Sequence, residues 1–256
     1  MRKVIPHVRY PWKLEQSYVR LLAKQQCEYR RYFMDRYHTE LVPVVNNSKL
    51  VTDADQPAGM LNAILQPLII TLGAKMLFDQ QVSESDVKKW IAAVGFYNLA
   101  QINTQLRARG RPTLGPEINT AEIQQSKWEE EAIYLKSLDS DLLNNLRAAV
   151  IRGINNGANS KQIEQALMKQ FDLAQNRANL IAQNETGSFF AALSKQRYQR
   201  TGSSKYVWQT QEDERVRPSH QELDQSVRKY SDDPFPGEPI RCRCVADPIY
   251  EEDEEE

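Results

Sequence analysis

The chain has 256 residues, 33 basic and 34 acidic, with a formal net charge of −1. A hydrophobic fraction of 41% beside 26% charged residues excludes a disordered or collagen-like chain and allows one large or two ordinary domains. Ten glycines are too few for a turn-rich all-β sandwich or a glycine-fingerprint phosphate site, and three cysteines exclude a disulfide-stapled secreted scaffold and suit a reducing compartment.

Helical spacing begins early. Over residues 13–37, Leu14, Tyr18, Leu21, Leu22, Tyr29, Phe33 and Tyr37 recur mainly at intervals of three and four, which predicts a long amphipathic helix. Cys27 lies within it and is expected in the core. The first forty residues hold nine Lys/Arg against four Asp/Glu, a mild basic bias compatible with a nucleic-acid or acidic-protein neighbour. Pro43, Asn46, Asn47 and Pro57 then predict a long loop over 42–59. A helix over 58–79, kinked at Pro67, and another starting at Ser83 follow. The apolar stretch 61–78 is interrupted by Asn62, Gln66, Pro67 and Lys75, so no membrane span is expected. The Met-Arg-Lys start lacks an apolar run, so no secretory signal is expected.

Residues 109–116, with Gly110, Pro112, Gly115 and Pro116, form a clear break. Helices are predicted over 120–134 and 140–155, with Gly157 as a stop. A short helix capped by Ser160 and a longer one over 176–200 come next, stopped by Gly202. The period then changes from 3.6 to 2: residues 205–210 read as a strand with Tyr206, Trp208 and Thr210 on one face. A short helix at Pro218, a Pro/Gly-rich loop and a strand over 240–246 complete the pattern. The closing run 251–256 carries −6, leaving residues 1–250 at +5, and is expected to be a solvated acidic tail. The fold class is a mainly α N-terminal region with a small α/β (α+β) C-terminal module. The division in chain order is 1–115, 116–250 and the tail 251–256.

Three features could carry chemistry. Glu185 sits among Ile181, Ala182 and Phe189, on an apolar helix face where a carboxylate needs a partner. It is expected to pair with Arg215 or Arg217; the functional alternative is a general acid or base. Asp213, Arg215, Arg217 and His220 follow the strand that carries Trp208. They read as an ion-paired turn with His220 as cap or ligand; the alternative is a nuclease or phosphotransfer site built on Asp213, Arg215 and His220. Cys242 and Cys244, at i and i+2, are expected to share a strand face opposite Arg241 and Arg243. With His220 they could supply three soft ligands for Zn²⁺, with Glu238, Asp213 or water as the fourth; the alternative is a pair of buried core thiols.

In order, these residues resemble the phage Mu F-like minor head proteins, or phage head morphogenesis proteins. The run Arg177-Ala-Asn-Leu-Ile-Ala-Gln-Asn-Glu185-Thr186 is similar to the family's Arg-Ala-x-x-Ile-Ala-x-x-Glu-Thr helix. Trp208-Gln-Thr210, then Asp213-Glu-Arg215-Val-Arg217-Pro-Ser-His220, resembles its Trp-x-Thr and Asp-x-Arg-x-Arg-x-x-His core. Leu223-Asp224, Asp233-Pro-Phe235, Pro236-Gly237 and Cys242-Arg243-Cys244 follow in the family's order. Gln225 stands where members often carry glycine, and Glu238-Pro239-Ile240-Arg241 stands where they often carry His-Pro-Asn.

The resemblance implies a non-enzymatic structural protein of a tailed bacteriophage, with no catalytic residues. Glu185, Trp208, Asp213, Arg215, Arg217 and His220 would form the structural core of the module. Such a protein is expected in the virion, inside the capsid near the portal vertex, after assembly in the host cytoplasm. Its expected partners are the phage portal protein, with scaffolding protein, major capsid protein and genomic DNA as further ones, and no membrane.

Overall fold

The computed structural model describes residues 5–48, 57–78, 82–118 and 120–250. The expected acidic tail lies outside them, as does part of the predicted 42–59 loop. Helices dominate, in the order α1 (Trp12–Arg36), α2 (Val42–Ser48), α3 (Pro57–Phe78), α4 (Glu84–Ala108), α5 (Thr120–Asn155) and α6 (Ser160–Arg200). The small C-terminal part holds β1 (Lys205–Gln209), the single turn α7 (Pro218–Gln221), β2 (Val227–Lys229) and β3 (Val245–Ile249). The strands form one antiparallel sheet, β2-β1-β3, with Tyr206 opposite Arg228 and Pro248. The mainly α fold with a small α+β module is therefore the fold of the chain.

Several boundaries differ from the sequence pattern, each for a local reason. The chain past α1 does not open into a loop: it winds as a π-helical turn over Tyr37–Leu41 and continues into α2. Pro43 lacks the N–H that an α-helix would direct to Thr39, and the wider turn accommodates the ring. The two helices predicted over 120–155 are one helix, α5, because the interval around Ser137 and Ser140 contains no glycine or proline. Ser140 Oγ bonds back to the Lys136 carbonyl at 2.8 Å. For the same reason α6 runs unbroken through residues 172–176. The last strand starts later than expected. Arg241, at φ 61°, turns the backbone, so Cys242 and Cys244 precede β3 and do not lie within it. The three-residue β2 has no period of its own and was not legible. Cys27 is exposed, opposite the α1 face that buries Leu22, Tyr29 and Phe33.

The described residues pack as two units, each assembled from separate segments, drawn from 1–18, 85–128 and 180–256 in one and from 19–84 and 129–179 in the other. Every described element of the second is helical. Leu22, Phe33 and Leu41, Leu65, Leu68 and Leu72 of α3, Leu138, Leu142 and Leu146 of α5, and Ile163, Leu167 and Phe171 of α6 fill its interior. The phenolic hydroxyl of Tyr37 donates to the Ser160 carbonyl at 2.6 Å.

The first unit contains the sheet. α4 buries Trp90, Ile91, Val94, Ile102 and Leu106, and α6 contributes Ala182, Phe190, Leu193 and Tyr198. Tyr18 stacks on Trp90 with ring centroids 4.2 Å apart. On the sheet, Tyr206 packs against Tyr230 and Phe235. Among the described residues, no helix is long and apolar enough to cross a membrane.

Candidate functional site

Glu185 is buried on α6, and its partner is Lys127. The ammonium donates to Oε2 at 2.6 Å, with only 8% of the lysine and 5% of the glutamate side chain exposed. Asn184 Nδ2 donates to Oε1 at 3.0 Å. The expected pairing with Arg215 or Arg217 does not form. Arg215 lies over the Trp12 ring, 5.7 Å from its centroid, and Arg217 donates to the Ile240 carbonyl. Both arginines are exposed, so a buried carboxylate on α6 is matched instead by the lysine that α5 carries into the same interior.

Two further buried ion pairs tie distant segments of this unit together. Glu15, fully buried, accepts from both Arg243 Nη2 at 3.0 Å and Arg243 Nε at 3.2 Å, and from the Tyr10 hydroxyl at 2.6 Å. Burial, with the Glu15 charge beside it, pushes the Tyr10 phenol far up. Trp12 packs over the Arg243 guanidinium, 4.4 Å from ring to cation. Glu117 takes a two-pronged contact from Arg197, at 2.6 and 2.9 Å, and those hydrogen bonds hold its carboxyl below the usual range. Arg197 also reaches Asn98 Oδ1 at 2.7 Å. Asp247 of β3 accepts from the Val8 N–H and from Gln105 Nε2 and contacts His7 Nδ1.

The residues after β1 form a tight corner. Trp208 is fully buried, and the Thr210 N–H donates to Asp224 Oδ1 at 2.8 Å. Asp213 is exposed and accepts the Arg215 N–H at 3.0 Å, a local turn-closing bond. Pro218 opens α7, which places His220 edge-on to Trp208 at 5.4 Å between centroids. His220 is buried, and its Nδ1 lies 3.5 Å from Cys242 Sγ and 3.6 Å from Cys244 Sγ. The structure thus brings His220, Cys242 and Cys244 together, although the thiols do not share a strand face. Asp213, Arg215 and Arg217 line a shallow pocket beside them, with Arg241 and Arg243. Glu238 is turned away, accepting the Phe235 N–H at 2.9 Å and facing Lys195.

The thiols are unequal. The hydrogen bond from Cys244, then the backbone N–H groups of Cys244 and Gly237, bring Cys242 down to about 6 against the cost of burial. Cys244 is pushed up by that same bond and by burial, while the Trp208 indole N–H favours its charged form. The loop carrying both lies directly on α6 at Gly187. A Cβ there would stand 2.9 Å from the Cys242 carbonyl oxygen, and one at Gly237, where φ is 94°, would stand 2.8 Å from Ala191 Cβ. A glycine inside a helical pattern, two residues after Glu185, is a sequence signal for such an approach. Lys127, Glu15 and Glu117 gave no comparable signal, because their partners are remote in the chain.

The family model described as "Phage Mu protein F like protein" matches residues 144–247, the stretch that ends at the thiols and β3. The resemblance carried by the motifs is thereby supported over that stretch, which is similar to a phage head morphogenesis family. A protein of Haemophilus influenzae, described only as an uncharacterized protein, is 31% identical over 125 residues. That alignment covers 47% of this chain and 28% of the relative, so this chain spans well under half of that protein. No solved structure matches the chain.

Proposed function

We propose that the chain is a minor head protein of a tailed bacteriophage, acting in procapsid assembly at the portal vertex and residing in the virion inside the capsid. The observation that carries this reading is the family match over residues 144–247. The buried Glu185–Lys127 pair and the packing of His220 against Trp208 fit a module whose polar residues serve the fold. Portal protein is the principal partner in this reading, with scaffolding protein, major capsid protein and DNA as secondary ones.

The nuclease or phosphotransfer reading has less support. His220 Nδ1 faces two sulfurs, and the exposed Asp213 and Arg215 are engaged in a turn and on Trp12. Mass spectrometry of purified heads tests the proposal: the chain should be present in a few copies per head, and a null mutant should yield fewer or defective heads. Heads that lack the chain, with normal yield from the null mutant, would contradict it.

A further inference from the structure

We infer that His220, Cys242 and Cys244 bind one Zn²⁺ ion as a three-residue protein site with its fourth position turned to the adjoining pocket. Three buried soft donors converge, all within 4.8 Å of one another. A tetrahedral ion with Zn–S bonds of about 2.3 Å and Zn–N bonds of about 2.0–2.1 Å sets an N···S edge of about 3.5 Å. The two N···S separations, 3.5 and 3.6 Å, are such edges.

Hydrogen bonding alone accounts for this arrangement less well. The lone nitrogen Nδ1 has one in-plane direction, as donor or acceptor, and can satisfy one sulfur well. Here it stands at nearly equal distance from two, which a cation placed among the three atoms explains.

The surroundings hold the three ligands in place. The imidazole is held edge-on to Trp208, and the thiol loop is seated on α6 at Gly187. Imidazole with two thiolates is a donor set that selects zinc among the common divalent ions. Glu238 is engaged elsewhere, so the fourth ligand is water or Asp213 from the pocket wall. The ion would clip α7 to the segment before β3 and stabilise a module whose sheet has only three short strands.

The test uses the full chain, purified under reducing conditions without added chelator. One zinc per chain is expected by elemental analysis. Replacement by Co²⁺ should give thiolate-to-cobalt charge-transfer absorption and the intense visible bands of a tetrahedral ion. Cys242→Ser and Cys244→Ser should lose both signals, while Cys27→Ser keeps them. Should those variants fail to fold, thiol counting on the wild-type chain decides. Only Cys27, which is exposed, should react quickly with a thiol reagent in the metal-bound chain, and all three cysteines should react after chelation. A folded, reduced wild-type chain that takes up no stoichiometric Zn²⁺ or Co²⁺ overturns the inference. So does metal retained by the cysteine variants, or a thiol count that chelation leaves unchanged.

Discussion

At the scale of single residues, the interior holds charges in two different conditions, and each makes a distinct prediction. Glu185 and Lys127 are buried as a pair, and removing one partner leaves the other buried without compensation. Glu185→Ala should therefore cost about 3 kcal/mol or more in a denaturant melt, and Lys127→Met a similar amount. A loss no larger than that of an exposed Glu→Ala control would contradict the pairing. Asp139 is the opposite case. Burial raises its carboxyl from 3.8 to about 7, against the opposing hydrogen bonds of Tyr29 and Gln25. The folded state therefore holds the proton more tightly than the unfolded chain, so this contribution is complete below about pH 4 and is lost as pH rises towards 7. Asp139→Asn should be the more stable chain at pH 8, by at most about 4 kcal/mol, with the advantage shrinking as pH falls below about 7 and gone by about pH 4. Equal pH dependence of melting in the two chains would show that Asp139 is not held protonated. The need of Glu185 for a partner was legible in the sequence from its apolar neighbours. The identity of that partner was not, because helical periodicity says which face a residue occupies and nothing about which remote helix meets it.

At the scale of elements, helix existence was readable from the 3.6-residue period, while helix ends depended on weaker signals. Pro43 reads as a breaker, yet a proline near the start of a helix removes an N–H that needs no partner there, and the π-helical turn before it absorbs the strain. Polar residues at 137–140 and 172–176 read as interruptions, but without glycine or proline a long helix continues through them when its faces are packed. The contact between α6 and the thiol loop is the sharpest constraint at this scale. Gly187→Ala should force the 237–242 segment outward and destabilise the first unit by about 1–3 kcal/mol, the range of an overpacked core. An unchanged melting temperature for Gly187→Ala would show that the loop gives way freely.

At the scale of the whole molecule, the first unit joins residues 1–18, 85–128 and 180–256, which a reading in chain order separates. Its joints are polar and long-range: Glu15 with Arg243, Asp247 with Val8 and Gln105, and Glu117 with Arg197. No local pattern announces such pairings, whereas the ordered motifs of 177–244 announce the module itself. A fragment of residues 116–250 lacks Glu15, Trp90, Asn98 and Gln105 and should show no cooperative melt, in contrast to the full chain. A cooperative transition at the full-chain temperature would show that the fragment folds independently of the early segments. The central claim, a head-assembly component, is tested most directly by co-expression with the portal protein of the same phage, followed by size exclusion. The account expects the chain to elute with the portal ring at low and moderate salt; clean separation of the two at both salt concentrations would contradict it.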